Sequence, residues 1–302
     1  MPRPVPEVTS PRPPLGHLYE VSGRRLMLHR SGEGGPAVVF LPGAGLVGLD
    51  YLNIHNRVAE ATTSVLYDRA GTGWSDATAL PRPAADVTAE LRALLRAADV
   101  PGPYVLVGHS LGGAYARHFA HRHAADVVGL LLLDPFHEDL HGLAPQEARE
   151  RLTELHRMDI PELTPHQLDQ ARSQAAPLFA EWPESVREAL VEHHATTAWK
   201  AGLYEDRNLY DEVAEELRTA QALPDIRLIV VTAQGHDDAQ AQLWSDDVLR
   251  WINATKSDLH GRLASSVPRG EHRTLTDAGH GWLHEENQDD VLQAILDLIG
   301  RT

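Results

Sequence analysis

The sequence predicts an α/β protein built on a mostly parallel sheet. Apolar, β-branched runs alternate with helical patterns through the first half of the chain and return near its C-terminal end, as expected when helices cover both faces of such a sheet. Between two of these runs, residues 136–223 carry only amphipathic helical patterns. We therefore expect an α/β core at residues 17–135 and 224–302, with an inserted helical cap at 136–223.

The N-terminal elements follow from local signals. The chain opens on a proline-rich stretch without the apolar segment of a secretion signal, which predicts a disordered leader at residues 1–16. Two short runs, Leu18–Val21 and Arg24–His29, fit a hairpin around a Ser-Gly turn. Ala37–Leu41 and Thr63–Tyr67 end at a proline and an aspartate, and both fit buried strands.

The later elements are predicted in the same way. Leucines recur on one face of Pro83–Ala98, which predicts a helix. The other core elements are strands at Tyr104–Gly108, Val127–Asp134, Ile226–Thr232 and Arg273–Thr276, and helices at Ala239–Asn253 and Gln288–Ile299. The predicted cap helices are Pro145–Met158, Pro165–Trp182, Pro183–His194 and Ala198–Gln221.

Composition limits the class of partner. The chain has 27 basic and 43 acidic side chains, a formal net charge of −16 and a pI near 5.5. Such a field repels nucleic acid and anionic membranes and favours neutral or cationic small molecules. No apolar window approaches the length of a membrane span. We therefore expect a cytoplasmic enzyme with a small-molecule substrate and with neither a nucleic-acid nor a membrane partner.

Metal and thiol chemistry receive no support. Cysteine is absent, which excludes disulfides and thiolate catalysis. The paired histidines His121 with His123 and His193 with His194 lack carboxylates at ligand spacing. We expect neither a metal nor a cofactor.

A nucleophile motif follows the strand at Tyr104–Gly108. Gly108-His-Ser-Leu-Gly-Gly113 joins this strand to a helical pattern, so Ser110 is predicted at the tip of a sharp turn with its hydroxyl exposed. The flanking glycines permit close approach of strand and helix. In this strand–turn–helix context the motif indicates a catalytic serine.

A serine hydroxyl is a weak nucleophile and needs a base. His280 follows the last predicted strand, and its loop therefore lies at the same sheet edge as Ser110. The third member, a carboxylate that orients the imidazole, has two candidate positions. We favour Asp134, which a following proline holds at the end of an apolar strand. Asp237 and Asp238, after the next strand, are the alternative.

An oxyanion hole requires two converging backbone amides. We assign one to Leu111, the residue after the nucleophile. The other is assigned to Ala44 in the glycine-containing turn Leu41-Pro-Gly-Ala-Gly45. The motif Asp68-Arg-Ala-Gly-Thr-Gly-Trp-Ser75 is expected to brace this edge of the sheet without a catalytic part.

Taken together, these motifs resemble the α/β-hydrolase superfamily, in the order serine, acid, histidine. The resemblance covers residues 17–135 and 224–302 and implies an eight-stranded, mostly parallel sheet with a helical cap. Most members place the acid after the strand that follows the cap, where Asp238 stands in a Gly-x-x-Asp pattern. A minority place it one strand earlier, at the position of Asp134. The chain is similar in this respect to zearalenone lactonases. These carry a Val-Pro-Asp-Gly-like oxyanion loop, and Leu41-Pro-Gly-Ala44 of this chain resembles it loosely, without the aspartate.

The resemblance implies hydrolysis of a carboxylic ester or lactone through an acyl-enzyme. Side chains predicted to line an apolar pocket for a bulky substrate are Phe136, Leu178, Trp182, Trp199, Tyr204 and Tyr210, although each could instead pack the cap onto the core. The same apparatus would serve a C–C bond hydrolase, a thioesterase or a cofactor-free perhydrolase. A hydrolase-fold ligand receptor is a non-enzymatic alternative. The sequence leaves open whether the chain forms a homodimer through the cap.

Overall fold

The computed structural model of the protein describes residues 12–220 and 222–300. Eight strands form one sheet: β1 His17–Val21, β2 Arg24–Ser31, β3 Ala37–Leu41, β4 Ser64–Tyr67, β5 Tyr104–His109, β6 Val127–Leu133, β7 Arg227–Ala233 and β8 Gly270–Leu275. Their order is β1-β2-β4-β3-β5-β6-β7-β8. β1 with β2 and β2 with β4 are antiparallel, and the remaining neighbours are parallel. The predicted α/β class, with its mostly parallel eight-stranded sheet, is confirmed.

The helices divide between core and cap. In chain order they are α1 Leu52–Ala59, α2 Ala84–Ala97, α3 Leu111–Arg122, α4 Leu140–Leu143, α5 Gln146–Arg157, α6 Pro165–Ala175, α7 Glu184–His193, α8 Trp199–Glu205, α9 Ala214–Thr219, α10 Asp238–Leu243, α11 Asp246–Ala264, α12 Leu283–Glu286 and α13 Gln288–Ile299. The six helices α4 to α9 lie between β6 and β7 and form the cap.

The core lies on both faces of the sheet. β3 and β5 are buried at every position, as expected for central strands covered on both sides. One apolar cluster joins the sheet to α2 and α3, and a second joins it to α1 and α13. This packing holds the carboxyl ends of β3, β5 and β6 side by side, and the candidate site lies there.

Several predicted helices are shorter than expected. The helix predicted at 165–182 ends at Ala175 and continues as a 3₁₀ turn, Ala176–Phe179, because Pro177 cannot donate a backbone hydrogen bond. The last predicted cap helix is divided by a π-helical segment, Leu209–Val213. The helix predicted at 239–253 is two helices, since Ser245 accepts a hydrogen bond from the Val248 amide and begins α11 anew.

The ends of the chain are partly described. Residues 1–11 of the predicted leader lie outside the described residues. Leu15, which the leader was expected to include, instead packs half-buried against the apolar cluster of α1 and α13. Across residues 12–220 and 222–300, no helix combines the length and apolarity needed to cross a membrane.

Candidate active site

Ser110 stands at a strained turn between β5 and α3. Its backbone has φ +51° and ψ −118°, a conformation that costs free energy for any residue other than glycine. The strain persists because strand and helix pack closely around it. A Cβ on Gly112 would lie 1.9 Å from the Leu41 carbonyl oxygen, and one on Gly108 would lie 2.5 Å from that of Gly112. The glycines of the motif are therefore required by packing, and they hold the serine hydroxyl at the sheet edge.

Three predicted catalytic side chains meet at this edge. His280 Nε2 lies 3.1 Å from Ser110 Oγ, and His280 Nδ1 lies 2.6 Å from Asp134 Oδ2. With the proton on Nδ1, the imidazole donates to the carboxylate and accepts from the serine hydroxyl. The structure thus brings Ser110, His280 and Asp134 into one hydrogen-bonded chain, the arrangement in which a base can activate a hydroxyl nucleophile.

Asp134 is a buried carboxylate with three hydrogen-bond partners. It follows β6 with φ +42°, so the strand ends one residue earlier than predicted. Oδ1 accepts from the Ala233 amide at 3.0 Å, and Oδ2 accepts from Lys256 Nζ at 2.8 Å as well as from His280. Burial would raise the pKa of Asp134, but the Lys256 ammonium, His280 and His260 together hold it well below its usual range. The carboxylate is therefore ionised and fixed in orientation.

The two alternative acids have other partners. Asp237 accepts from the Gln240 amide and from the Gly281 amide, each at 2.9 Å, so it caps α10 and ties down the loop that carries His280. Asp238 is exposed and lies 2.9 Å from His236 Nε2. Neither carboxylate contacts the imidazole of His280 in the described structure.

The turn after β3 borders the serine. A Cβ on Gly43 would lie 3.4 Å from Ser110 Cβ. The Gly43 amide donates to Tyr51 Oη and the Gly45 amide to Glu205 Oε2. Among the described residues, no acceptor for the Ala44 amide is found. That amide and the one of Leu111, at the start of α3, are therefore the donors available for an oxyanion.

A buried ion pair holds this turn from behind. Arg69 donates to the Pro42 carbonyl at 2.7 Å and to the Gly43 carbonyl at 2.9 Å. Its Nε also lies 2.9 Å from Glu205 Oε1, and both side chains are at most 3% exposed. Because Glu205 belongs to the cap and also accepts from Gly45, core and cap share one polar clamp on the turn.

Asp68 braces the neighbouring segment. It is fully buried and accepts from the amides of Gly48 and Trp74, at 2.8 and 2.9 Å. Burial raises the pKa of this carboxyl to about 7, although the two amide hydrogen bonds oppose the shift. Sequence reasoning expected bracing from this motif, but the contacts of Arg69 with the turn after β3 were missed.

A largely apolar cavity opens above Ser110 and His280. Its floor is polar, and its walls come from the cap and from α10 and α11. The lining comprises Ser110, Asp134, Pro135, Phe136, Leu140, His141, Ala144, Ala148, Leu152, Asp206, Leu209, Tyr210, Gln240, Trp244, Trp251, Ile252, Lys256 and His280. Such a cavity suits a small molecule with a large apolar surface.

Only some of the predicted lining residues reach this cavity. Phe136 and Tyr210 do, whereas Leu178, Trp182, Trp199 and Tyr204 do not, which corrects the prediction for these four. Trp182 is buried in the core and its indole donates to the Leu49 carbonyl at 2.9 Å. Leu178 is 45% exposed. The guanidinium of Arg207 covers the ring of the exposed Tyr204.

Four contributions were not anticipated from the sequence. Trp251 and Lys256 reach the cavity from α11, Trp244 reaches it from the end of α10, and Asp206 reaches it from the cap. The pattern at 239–253 resembles that of an ordinary amphipathic core helix. The only available signal was an unusual pair of tryptophans in that helix, together with a lysine one turn beyond.

Comparison with known proteins identifies the family. The sequence profile of the alpha/beta hydrolase family matches residues 38–294. Because this match extends over most of the chain, the protein belongs to that family. The uncharacterized protein YqjL of Bacillus subtilis (strain 168) is 36% identical over 107 residues, which are 35% of this chain and 42% of YqjL. The aligned region is thus less than half of that relative.

Solved structures share the fold. An esterase from Thermogutta terrifontis superposes with a TM-score of 0.63 at 16% identity, covering 93% of this chain and 96% of the esterase. The enol-lactonase from Burkholderia xenovorans LB400 gives a TM-score of 0.63 at 18% identity, with 94% and 100% covered. At such low identity these similarities establish the α/β-hydrolase fold of the protein and nothing more.

Proposed function

We propose that the protein is a serine hydrolase that cleaves a carboxylic ester or lactone of a bulky, largely apolar small molecule. The observation that carries the proposal is the chain of contacts Ser110–His280–Asp134 at the floor of an apolar cavity. Solved structures of the same fold that are named as an esterase and an enol-lactonase support the reaction class.

The first half of the reaction forms an acyl-enzyme. His280 Nε2 accepts the proton of Ser110 Oγ, and the alkoxide attacks the carbonyl carbon of the substrate. The carbonyl oxygen takes the negative charge and accepts hydrogen bonds from the amides of Ala44 and Leu111. The Asp134 carboxylate stabilises the imidazolium that has formed.

The second half releases the acid. The imidazolium of His280 donates its proton to the leaving alcohol oxygen as the carbon–oxygen bond breaks. His280 then accepts a proton from water, whose oxygen attacks the acyl carbon, and the imidazolium returns that proton to Ser110 Oγ as the acyl–oxygen bond breaks. An ester yields two products, whereas a lactone yields one hydroxy acid. This sequence requires no cofactor.

We further propose one candidate substrate class from the likeness of the acid's position to that in a named group of lactonases. Asp134 lies directly after the strand that follows the nucleophile strand, as in the zearalenone lactonases that the sequence resembles. Together with the apolar walls of the cavity, this position supports a macrocyclic resorcylic lactone such as zearalenone as a candidate within the proposed class.

Product analysis by mass spectrometry tests the proposal. The purified protein is incubated in H₂¹⁸O with 4-nitrophenyl esters, simple lactones and zearalenone, and Ser110→Ala is the control. Incorporation of one ¹⁸O into the released acid by the wild type alone supports it. Cleavage of a C–C bond or perhydrolysis without ester turnover would assign another reaction. Saturable binding without turnover of any ester would favour a receptor.

A further inference from the structure

The cap places one carboxylate in the catalytic cavity. Asp206 directly follows α8, and its side chain lines the same cavity as Ser110 and His280. Its neighbour Glu205 points the other way, into the buried pair with Arg69. Within residues 12–220 and 222–300, no hydrogen-bond donor or ion-pair partner of the Asp206 carboxylate is found. Asp206 is half-buried, and withdrawing a carboxylate even partly from water without a partner is unfavourable, which calls for a reason.

The charges around the cavity leave Asp206 uncompensated. Lys256 is the ammonium among the lining residues, and it lies 2.8 Å from Asp134, which it neutralises. The guanidinium of Arg207 lies over the Tyr204 ring and donates to the Met158 carbonyl. Other titratable groups facing the cavity or adjoining Asp206 are His141, Glu205, Tyr210 and His280. Two carboxylates therefore face one ammonium in the cavity, and the excess negative charge is on Asp206.

The titration of Asp206 agrees with that geometry. Burial raises the pKa of its carboxyl to about 7, the Glu205 charge adds to the shift, and His280 opposes it. The anionic form is thus destabilised when no positive charge lies beside it. A positive charge bound beside it would stabilise that form and be stabilised in turn.

Aromatic rings surround the same space. Phe136, Tyr210, Trp244 and Trp251 line the cavity with Asp206. The face of an aromatic ring attracts a cation within about 6 Å, and most strongly when the cation is desolvated and the ring is an indole. A carboxylate together with several rings is the chemistry that recognises an alkylated ammonium group.

We propose that this cavity binds a quaternary or tertiary ammonium group of the substrate, with Asp206 as its counter-ion and the aromatic rings around its alkyl groups. This inference rests on the proposed hydrolase function and narrows its substrates to esters or lactones that carry such a cation. A neutral macrolactone is not such a substrate, because it would leave Asp206 without a partner. The net charge of −16 favours the approach of the cation.

Isosteric pairs of esters test the proposal. A trimethylammonium group and a tert-butyl group have the same shape, so each pair differs in charge alone. On the alcohol side the pair is choline butyrate and 3,3-dimethylbutyl butyrate. On the acyl side it is the 4-nitrophenyl esters of 4-(trimethylammonio)butyrate and 5,5-dimethylhexanoate. The measured quantity is the ratio of kcat/KM for the charged ester to that for the neutral one, in which the titration of the catalytic base cancels.

In the wild type at pH 8 we expect a ratio well above one for at least one pair. Asp206→Asn should lower that ratio about tenfold or more, since it removes the charged partner of the cation. Asp211→Asn, a change of an exposed aspartate that lies outside the cavity lining, is the matched control and should leave it unchanged. In the wild type the ratio should also fall as the pH drops through about 7 and Asp206 is protonated.

A binding measurement separates this inference from the hydrolase proposal. Calorimetry with Ser110→Ala compares choline with its neutral isostere 3,3-dimethylbutan-1-ol, with and without Asp206→Asn. Preference for choline that depends on Asp206 supports the cation site even if no ester is hydrolysed. A kcat/KM ratio near one for every ester pair together with equal binding of choline and its isostere would overturn it. So would a preference for the cation that survives Asp206→Asn. Turnover of neutral esters without such a preference would leave the hydrolase proposal standing.

Discussion

The buried pair Arg69–Glu205 makes a prediction that separates stability from catalysis. Glu205→Gln removes one charge and leaves the guanidinium buried, because both side chains are at most 3% exposed. The loss of such a partner costs about 4 kcal/mol in unfolding free energy. In a chain of 302 residues this corresponds to a fall in Tm of roughly 6 °C.

Catalysis should fall for a different reason. Arg69 and Glu205 hold the Pro42 and Gly43 carbonyls and the Gly45 amide, so their loss lets the turn after β3, which we propose supplies an oxyanion donor, move relative to Ser110. A displaced donor weakens transition-state stabilisation, and we expect kcat to fall about tenfold to a hundredfold with little change in KM. Ester hydrolysis is followed well below the Tm of the variant.

A double variant distinguishes the two effects. Arg69→Met with Glu205→Leu replaces the ion pair by apolar side chains of similar size and should recover part of the Tm, because no unpaired guanidinium stays buried. Recovery is incomplete because the Pro42 and Gly43 carbonyls and the Gly45 amide lose their partners, and kcat should stay low because nothing holds the turn. Glu138→Gln is the control, since it breaks a comparable buried pair with Arg117 that does not touch residues 42–45. It should lower Tm with a much smaller effect on kcat. Recovery of kcat in the double variant, or an unchanged kcat in Glu205→Gln, would refute the positioning argument.

Further predictions concern the catalytic chain. Ser110→Ala should keep the circular dichroism spectrum and Tm of the wild type but remove turnover. Ester hydrolysis by the folded variant would contradict the nucleophile assignment. Asp134→Asn should lower kcat about 10⁴-fold, whereas Asp237→Asn and Asp238→Asn should have much smaller effects, and the reverse order in steady-state assays would move the acid to the later loop. Because the pKa of Asp134 is depressed on folding, its stabilisation is fully present above about pH 4 and is lost as the pH falls. The free energy of unfolding measured in urea should therefore differ between wild type and Asp134→Asn by an amount that shrinks below pH 4. A difference that is constant with pH would argue against an ionised Asp134. In steady-state assays, hydrolytic activity should survive EDTA, and its loss would indicate a metal-dependent reaction.

The sequence alone determined the parts of the protein that depend on local signals. Alternating apolar runs and helices define the α/β class, and Gly108-x-Ser110-x-Gly112 requires a tight turn whatever surrounds it. His280 could be proposed because a loop after a parallel strand must reach the same sheet edge as the serine. These inferences need only the covalent order of residues and the geometry of strand–turn–helix units.

The tertiary structure decided what depends on distant segments. Asp134 and Asp238 both fit a strand end in sequence, and only the packing of β6 against β7 brings Asp134 to His280, 146 residues away. Lys256 reaches Asp134 from 122 residues away, and Glu205 reaches Arg69 from 136 residues away. No periodicity encodes such contacts, because burial and pairing of charges arise only when separate elements pack together. The same reason placed Asp206 in the cavity and Trp182 in the core.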